Sequence, residues 1–271
     1  MVLAAFFFAM TLISARRVAH LPGVEIAFFQ AAGTTICMLP WLIRAGLGAL
    51  KTDKLAIHWM RSAVTVAGMA AMFYALRHMN AADVAALLFT AGLFTVLFAT
   101  LFLREALDYR RAIAIAIGFL GAIIIIRPGF QASAWPALAM LFVGLSYGAV
   151  NATTRFFVGT QNVNAVVFYM FALMVILAAV PTAIFWRTPA AADVPWLIML
   201  GVASMIAQQG LTRSFAIAPT AVVMPAYYLQ LPFAASIGYL AFGEVPDIWI
   251  WLGAAIICGA TYYIVRAESA P

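Results

Sequence analysis

Tyr227, Tyr228 and Gln230 stand between two prolines in Pro225-Ala-Tyr-Tyr-Leu-Gln-Leu-Pro232, inside an apolar run from about Pro219 to Phe242. Hydroxyls and a carboxamide at the centre of such a run can hydrogen-bond a polar solute. A lipid-facing segment has no use for them. Each proline removes a backbone donor and crowds the preceding turn, and in a bilayer the freed carbonyls need partners in protein or in a wet cavity. The stretch therefore reads as a cavity wall, with a kinked packing helix as its alternative. Further polar faces recur at helical spacing. Tyr147, Asn151 and Thr154 share one stripe, Gln208 and Thr212 a second, and Gln209 and Arg213 a third beside it. Polar groups within a span face the bundle interior or water, as cavity lining or as interhelical hydrogen bonds.

Other constellations point away from catalysis. Gly144-Leu-Ser-Tyr-Gly148 has the spacing of a hydrolase elbow but lies in mid-helix, and His20, His58 and His78 all fall near span ends. An elbow needs a strand-to-helix turn with a histidine base in reach, so close approach of a neighbouring helix explains the two glycines better. No H-E-x-x-H or Cys/His cluster exists to hold a catalytic metal. The reading is of a non-enzyme without a cofactor. Glu105, Asp108, Glu244 and Asp247 precede expected spans, and Asn80 with Asp83 opens another; these suit helix N-termini, whose free N–H groups and dipole favour carboxylates. Gly118-x-x-x-Ala122 and Ala255-x-x-x-Gly259 read as small-residue packing ridges.

The elements that must position these residues follow from composition. The 271 residues are 66% hydrophobic and only 9% charged, with mean hydropathy +1.05, against about 25% charged in soluble domains. The apolar runs last about 20 residues without strand alternation, so they are membrane-spanning helices and not barrel strands. Ten spans fit, at about 1–15, 22–43, 59–78, 81–103, 109–127, 134–156, 163–186, 194–216, 219–242 and 247–265. All seven tryptophans fall near span ends, where interfacial belts form. Cys37 and Cys258 lie inside apolar runs and read as small buried hydrophobes. The net charge of +6 is spread singly over span ends, which excludes a nucleic-acid surface. Arg16-Arg17 follows the first apolar stretch instead of preceding it, so that stretch reads as a span and not a signal peptide.

An internal repeat appears at an offset of 139 residues. Residues 75–127 laid on 214–266 align Phe94 with Phe233, Glu105 with Glu244, Asp108 with Asp247 and Arg127 with Arg266. Five spans is an odd number, so the second copy (131–271) enters the membrane inverted relative to the first (1–130). Inverted repeats place a binding site near the midplane where the copies meet.

With Ala75-Leu-Arg-His-Met-Asn-Ala-Ala-Asp83 entering the fourth span, Leu103-Arg-Glu105 leaving it, Gly118-Phe-Leu-Gly121 and Phe242-Gly-Glu244, the chain resembles the EamA-type drug/metabolite transporters over essentially its whole length. Within that superfamily it is most similar to bacterial amino acid exporters. The resemblance implies an all-α integral membrane protein of ten transmembrane helices in two inverted five-helix repeats, working as a carrier in the bacterial inner membrane. Two departures stand out: Leu93 replaces a frequent proline, and the second span carries Gln30 where an arginine is frequent.

The candidate substrate-binding residues are Tyr74, His78, Thr90, Tyr147, Asn151, Gln208, Gln209, Tyr227, Tyr228 and Gln230. Amides and hydroxyls supply both donors and acceptors for a zwitterion, and tyrosine faces attract an ammonium. The expected activity is export of small amino acids or similar zwitterions by alternating access; a passive small-solute channel and an exporter of other drug-like metabolites are the alternatives. No Asp or Glu lies in the middle of a span, Glu25 coming closest, which favours movement without ion coupling. The implied partners are the bilayer and a small-molecule substrate, with the oligomeric state open between a monomer and a larger assembly. Ten of the fifteen Lys and Arg residues fall on even-numbered connections or the C-terminus and five on odd-numbered ones, which places both termini in the cytoplasm. A cysteine replacing Lys51 is accordingly expected to react with an impermeant maleimide only from the cytoplasmic side; labelling from outside intact cells contradicts the orientation.

Overall fold

The computed structural model describes residues 1–103, 135–217, 229–243 and 247–269, with Ile113, Ala116, Ile117, Leu120, Gly121, Ile124, Val223 and Tyr227 as isolated positions. Among the described residues the regular structure is helical throughout. The α-helices are α1 (Val2–Arg17), α2 (Gly23–Ala45), α3 (Leu55–His78), α4 (Ala81–Leu87), α5 (Thr90–Leu103), α6 (Trp135–Val158), α7 (Val163–Ile184), α8 (Val194–Ile217), α9 (Gln230–Phe242) and α10 (Ile248–Ser269). Short 3-10 turns at Leu47–Leu50 and Ala191–Asp193 lie in the connections.

Four of these helical stretches are long and apolar enough to cross a membrane: Gly23–Ala45, Trp135–Val158, Val163–Ile184 and Ala191–Ile217. The others fall short for visible reasons. Helix α1 has 16 residues and α9 has 13, while α3 is long but carries His58, Arg61, Arg77 and His78. The expected fourth span is two helices, parted at Leu88–Phe89 without a proline. There the ladder tightens to three-residue bonds, Ala91 N–H to the Leu88 carbonyl and Gly92 N–H to the Phe89 carbonyl, both at 3.0 Å. The Thr90 hydroxyl donates to the Leu87 carbonyl at 2.7 Å and so satisfies a group that the break releases.

Pro232 falls in the first turn of α9, where a missing N–H forfeits no helical bond, so it opens this helix and does not kink it. Asn80 takes the cap position of α4 but makes no side-chain cap bond. Pro219, Pro225, Glu105, Asp108, Glu244 and the Gly118–Ala122 ridge lie outside the described residues. The Ala255–Gly259 ridge, expected to pack on a helix, meets nothing within 4 Å of Gly259 among the described residues. Cys37 and Cys258 are free and half-buried.

Packing joins early helices to late ones. Helix α1 lies on α8 and α9, α2 on α7 and α8, α3 on α6 and α7, and α5 on α6. A shift of 139 residues carries α3 onto α8 end for end, and α1, α2 and α5 onto α6, α7 and α9 within a few residues. Under that shift the contact α1–α8 becomes α6–α3, α2–α8 becomes α7–α3, and α5–α6 becomes α9–α1, all present. Large side chains such as Ile43, Phe102, Val180, Ile184 and Leu240 project from the outer surface, the arrangement a hydrocarbon solvent favours.

The closest helix crossing pairs Gly33 of α2 with Gly201 of α8. A Cβ on Gly201 would lie 2.7 Å from the Gly33 Cα, and the Thr34 hydroxyl donates to the Gly201 carbonyl at 3.1 Å. Small residues at a crossing let backbones touch and pack without a hydrophobic driving force. Gly144 and Gly148 do the same between α6 and α5, where Thr90 Oγ1 and Phe94 Cβ lie 2.1 and 2.4 Å from the positions their Cβ atoms would take. Gly201→Val should lower Tm by about 2–12 °C through overpacking, whereas Gly159→Ala, with open space around it, should leave the melting curve unchanged.

Candidate functional site

Where the paired helices surround one another, a cavity of about 60 Å³ opens among α1, α2, α3, α6, α7, α8 and α9. It has room for a few water molecules. Its wall obeys the same 139-residue offset. Phe8, Thr11 and Leu12 face it from α1, and Tyr147, Val150 and Asn151 from α6. Thr65, Met69 and Met72 of α3 are matched by Ser204, Gln208 and Leu211 of α8, and Leu88 at the helix break by Tyr227. Each of these pairs stands 139 positions apart.

The two members of a pair differ in chemistry. Leu12 faces Asn151, Met69 faces Gln208, Leu88 faces Tyr227 and Phe8 faces Tyr147 across the numbering offset. The first half thus lines the cavity with methionine, leucine and phenylalanine, and the second with amides and phenols. No charged side chain lines it among the described residues.

Four lining residues stand outside the pairs, and two of them carry free hydrogen-bonding capacity. The Gln30 amide nitrogen donates to the Ser204 hydroxyl at 2.9 Å, leaving its buried Oε1 without a partner. The Gln230 side chain is hydrogen-bonded to the Tyr227 hydroxyl, and its Nε2 is buried without a partner. A bare acceptor and a bare donor therefore open on one space. Buried polar groups are almost always paired, so these two mark where a ligand's polar edge fits. Around them Phe8 meets the Tyr227 ring edge-on at 5.2 Å between centroids, and the Tyr147 hydroxyl lies 3.8 Å from the Met72 sulfur.

Of the residues singled out in the sequence, Tyr147, Asn151, Gln208, Tyr227 and Gln230 meet in this cavity. Thr90 is buried one turn from the wall, its hydroxyl engaged with Leu87. Gln209 opens on a separate groove of about 440 Å³ with Met38, Trp41, Asn164 and Arg213. Tyr74 and His78 lie on the exposed end of α3, ring against ring at 4.7 Å. Tyr228 lies outside the described residues. Sequence reasoning passed over Gln30 as a site residue, and it treated Arg61 as a span-end charge although the side chain is 1% exposed. Glu25 is likewise fully buried at the start of α2, where one oxygen accepts the Arg187 N–H at 3.0 Å.

An all-helical membrane bundle folded around a solute-sized polar cavity is the architecture of a carrier, and the chain belongs to the EamA-like transporter family, whose model matches residues 1–127. It is a metabolite transporter and not an enzyme. Among its relatives, a riboflavin transporter of Brucella anthropi is 31% identical over 92% of this chain and 90% of its own. An S-adenosylmethionine uptake transporter of Rickettsia prowazekii is 27% identical over 92% and 85%. The pseudopaline exporter CntI of Pseudomonas aeruginosa is 29% identical over 98% and 95%. A crystal structure with 14% identity superposes over 99% of this chain and 98% of that one, with a TM-score of 0.71, and shows the fold.

Replacing Gln208 by methionine, the residue at its counterpart position 69, converts a polar part of the wall to the apolar kind. It should weaken transport by about 2- to 12-fold, the effect of one lost hydrogen bond, while Tm stays within about a degree of wild type. Tyr227→Phe should do the same. Unchanged transport by both variants, across every solute carried, would place the binding site elsewhere.

Proposed function

We propose that this chain is an inner-membrane secondary carrier of ten helices in two inverted halves, both termini cytoplasmic, that moves a small amphipathic heteroaromatic metabolite by alternating access. Riboflavin is the first substrate to test. The observation that carries the reading is the division of the cavity into an apolar wall and a hydrogen-bonding wall with a bare acceptor at Gln30 and a bare donor at Gln230. A flavin ring is divided in the same way, apolar at its dimethylbenzene end and carrying neighbouring N–H and C=O groups at its pyrimidinedione end. The 31% identity to a riboflavin transporter supports the choice.

The matched contacts and matched lining pairs at one offset support the inverted halves, because a two-fold axis through the cavity would produce both. A cavity of about 60 Å³ is too small for a flavin, so this state is a closed one. Admission requires the two halves to move apart on one side at a time, and Met69, Met72 and Met170 can repack as they do. The same small volume favours a second reading, a small zwitterionic amino acid, whose carboxylate and ammonium would meet the bare donor and acceptor and the tyrosine faces. No carboxylate lines the cavity among the described residues, so transport follows the substrate gradient without an ion.

Proteoliposomes loaded with labelled riboflavin or a panel of labelled amino acids separate these readings. Saturable riboflavin flux, unaffected by imposed pH or sodium gradients, is the expected result. Flux of amino acids alone selects the second reading. Uphill accumulation driven by either ion gradient contradicts the uncoupled mechanism, and non-saturable flux of all solutes would make the protein a channel.

A further inference from the structure

Arg61 of α3 is 1% exposed and lies one turn beyond the cavity wall. Its Nη2 donates to the Met170 sulfur at 3.3 Å, while its Nε and Nη1 have no partner. A thioether is a weak acceptor, so the guanidinium charge is left almost uncompensated. Its neighbours do not supply an anion. The Ser62 hydroxyl donates to the Met170 carbonyl at 3.1 Å, and the Thr65 hydroxyl to the carbonyl of Arg61 itself at 2.8 Å. His58, one turn earlier, is stacked between Phe157 and Tyr169 and engaged with Gln161 at 2.9 Å. A buried cation without a counter-charge is strongly unfavourable, and snorkelling to the surface does not relieve a side chain this enclosed.

The side chain that covers Arg61 is also part of the cavity wall. Met170 and Thr65 both line the cavity, so one flexible thioether separates the guanidinium from the solute space. Methionine has the torsional freedom to swing aside without disturbing the backbone. The charge is also foreign to the two-fold framework, since the position 139 residues on is Leu200, fully buried.

We propose that Arg61 is an anion-binding station at the end of the cavity where α3 begins, which takes a carboxylate or phosphate group of the transported solute once Met170 swings away. This rests on the carrier reading above and adds to it that the solute, or the one it exchanges with, bears an anionic oxygen group. In the proposed orientation the station lies on the cytoplasmic side. A planar guanidinium with two free edges suits bidentate oxyanions, which a lysine ammonium in its place would not match.

The test needs no transport substrate. Purified protein is melted in sodium acetate, sodium phosphate and sodium chloride at equal ionic strength, as wild type, Arg61→Gln and Arg61→Met. The wild type is expected to show a saturable Tm rise of about 5 °C in acetate or phosphate over chloride, the size that near-saturating ligand gives. Whichever salt acts identifies the group as carboxylate or phosphate. Both variants should lose the rise and melt in chloride no lower than the wild type, because an uncompensated buried charge has gone. No rise with either anion in the wild type, or a rise retained in Arg61→Gln, overturns the proposal. A clearly lower Tm of Arg61→Met in chloride also overturns it, since the guanidinium would then be serving the fold. Failure to transport riboflavin bears on the substrate reading and leaves this result standing.

Discussion

Inside a membrane bundle a polar side chain has two outlets, a partner in the protein or a cavity, and the rest of this structure follows from how each residue type meets that constraint. The hydroxyls satisfy themselves locally. Thr11, Thr35, Thr65, Thr95, Thr154, Thr212 and Ser214 each donate to the carbonyl four residues back in their own helix, so they cost nothing to bury and say little about function. Amides and a guanidinium have too many polar atoms for that escape. Gln30, Gln230 and Arg61 accordingly retain unpartnered atoms, and they gather in and beside one cavity.

The cavity exists because helices of similar design cross in pairs. Glycines at the α2–α8 and α5–α6 crossings bring backbones into contact, while methionine, leucine and tyrosine at corresponding depths hold the centre apart. Corresponding positions then diverged chemically without moving. Changing Leu12 to the kind of residue found at Asn151, or Met69 to that at Gln208, alters the wall and not the scaffold. A frame of this kind can present very different solutes with the same geometry, in keeping with relatives named for a flavin, a sulfonium nucleoside and a metallophore.

Much of this was legible in the sequence, and what was not has physical reasons. The helical, membrane-embedded class followed from hydropathy. The offset of 139, first visible through Glu105, Glu244 and a few neighbours, reappears in the cavity wall. Polar stripes at helical spacing correctly paired Tyr147 with Asn151, yet they could not separate Gln208 from Gln209, adjacent residues that open on different spaces. Tyr74 and His78 drew notice by type, but a place at the last turns of α3 exposes them. The break at Leu88 carried no proline and was invisible, because Thr90 makes it with a hydroxyl. Arg61 was counted with the loop charges since it stands close to a helix start. Only the fold shows that α6 and α7 bury it.

The central claim is that solute occupies the cavity between the halves, beside Asn151 and Gln208. Its most direct test is substrate protection of a single cysteine at position 151, in a background with Cys37 and Cys258 replaced by serine or alanine, with a cysteine at position 74 as reference. A membrane-permeant maleimide should label both, and the transported solute should slow labelling at 151 in a saturable way while leaving 74 unaffected. Equal labelling at 151 with and without saturating solute would contradict the claim.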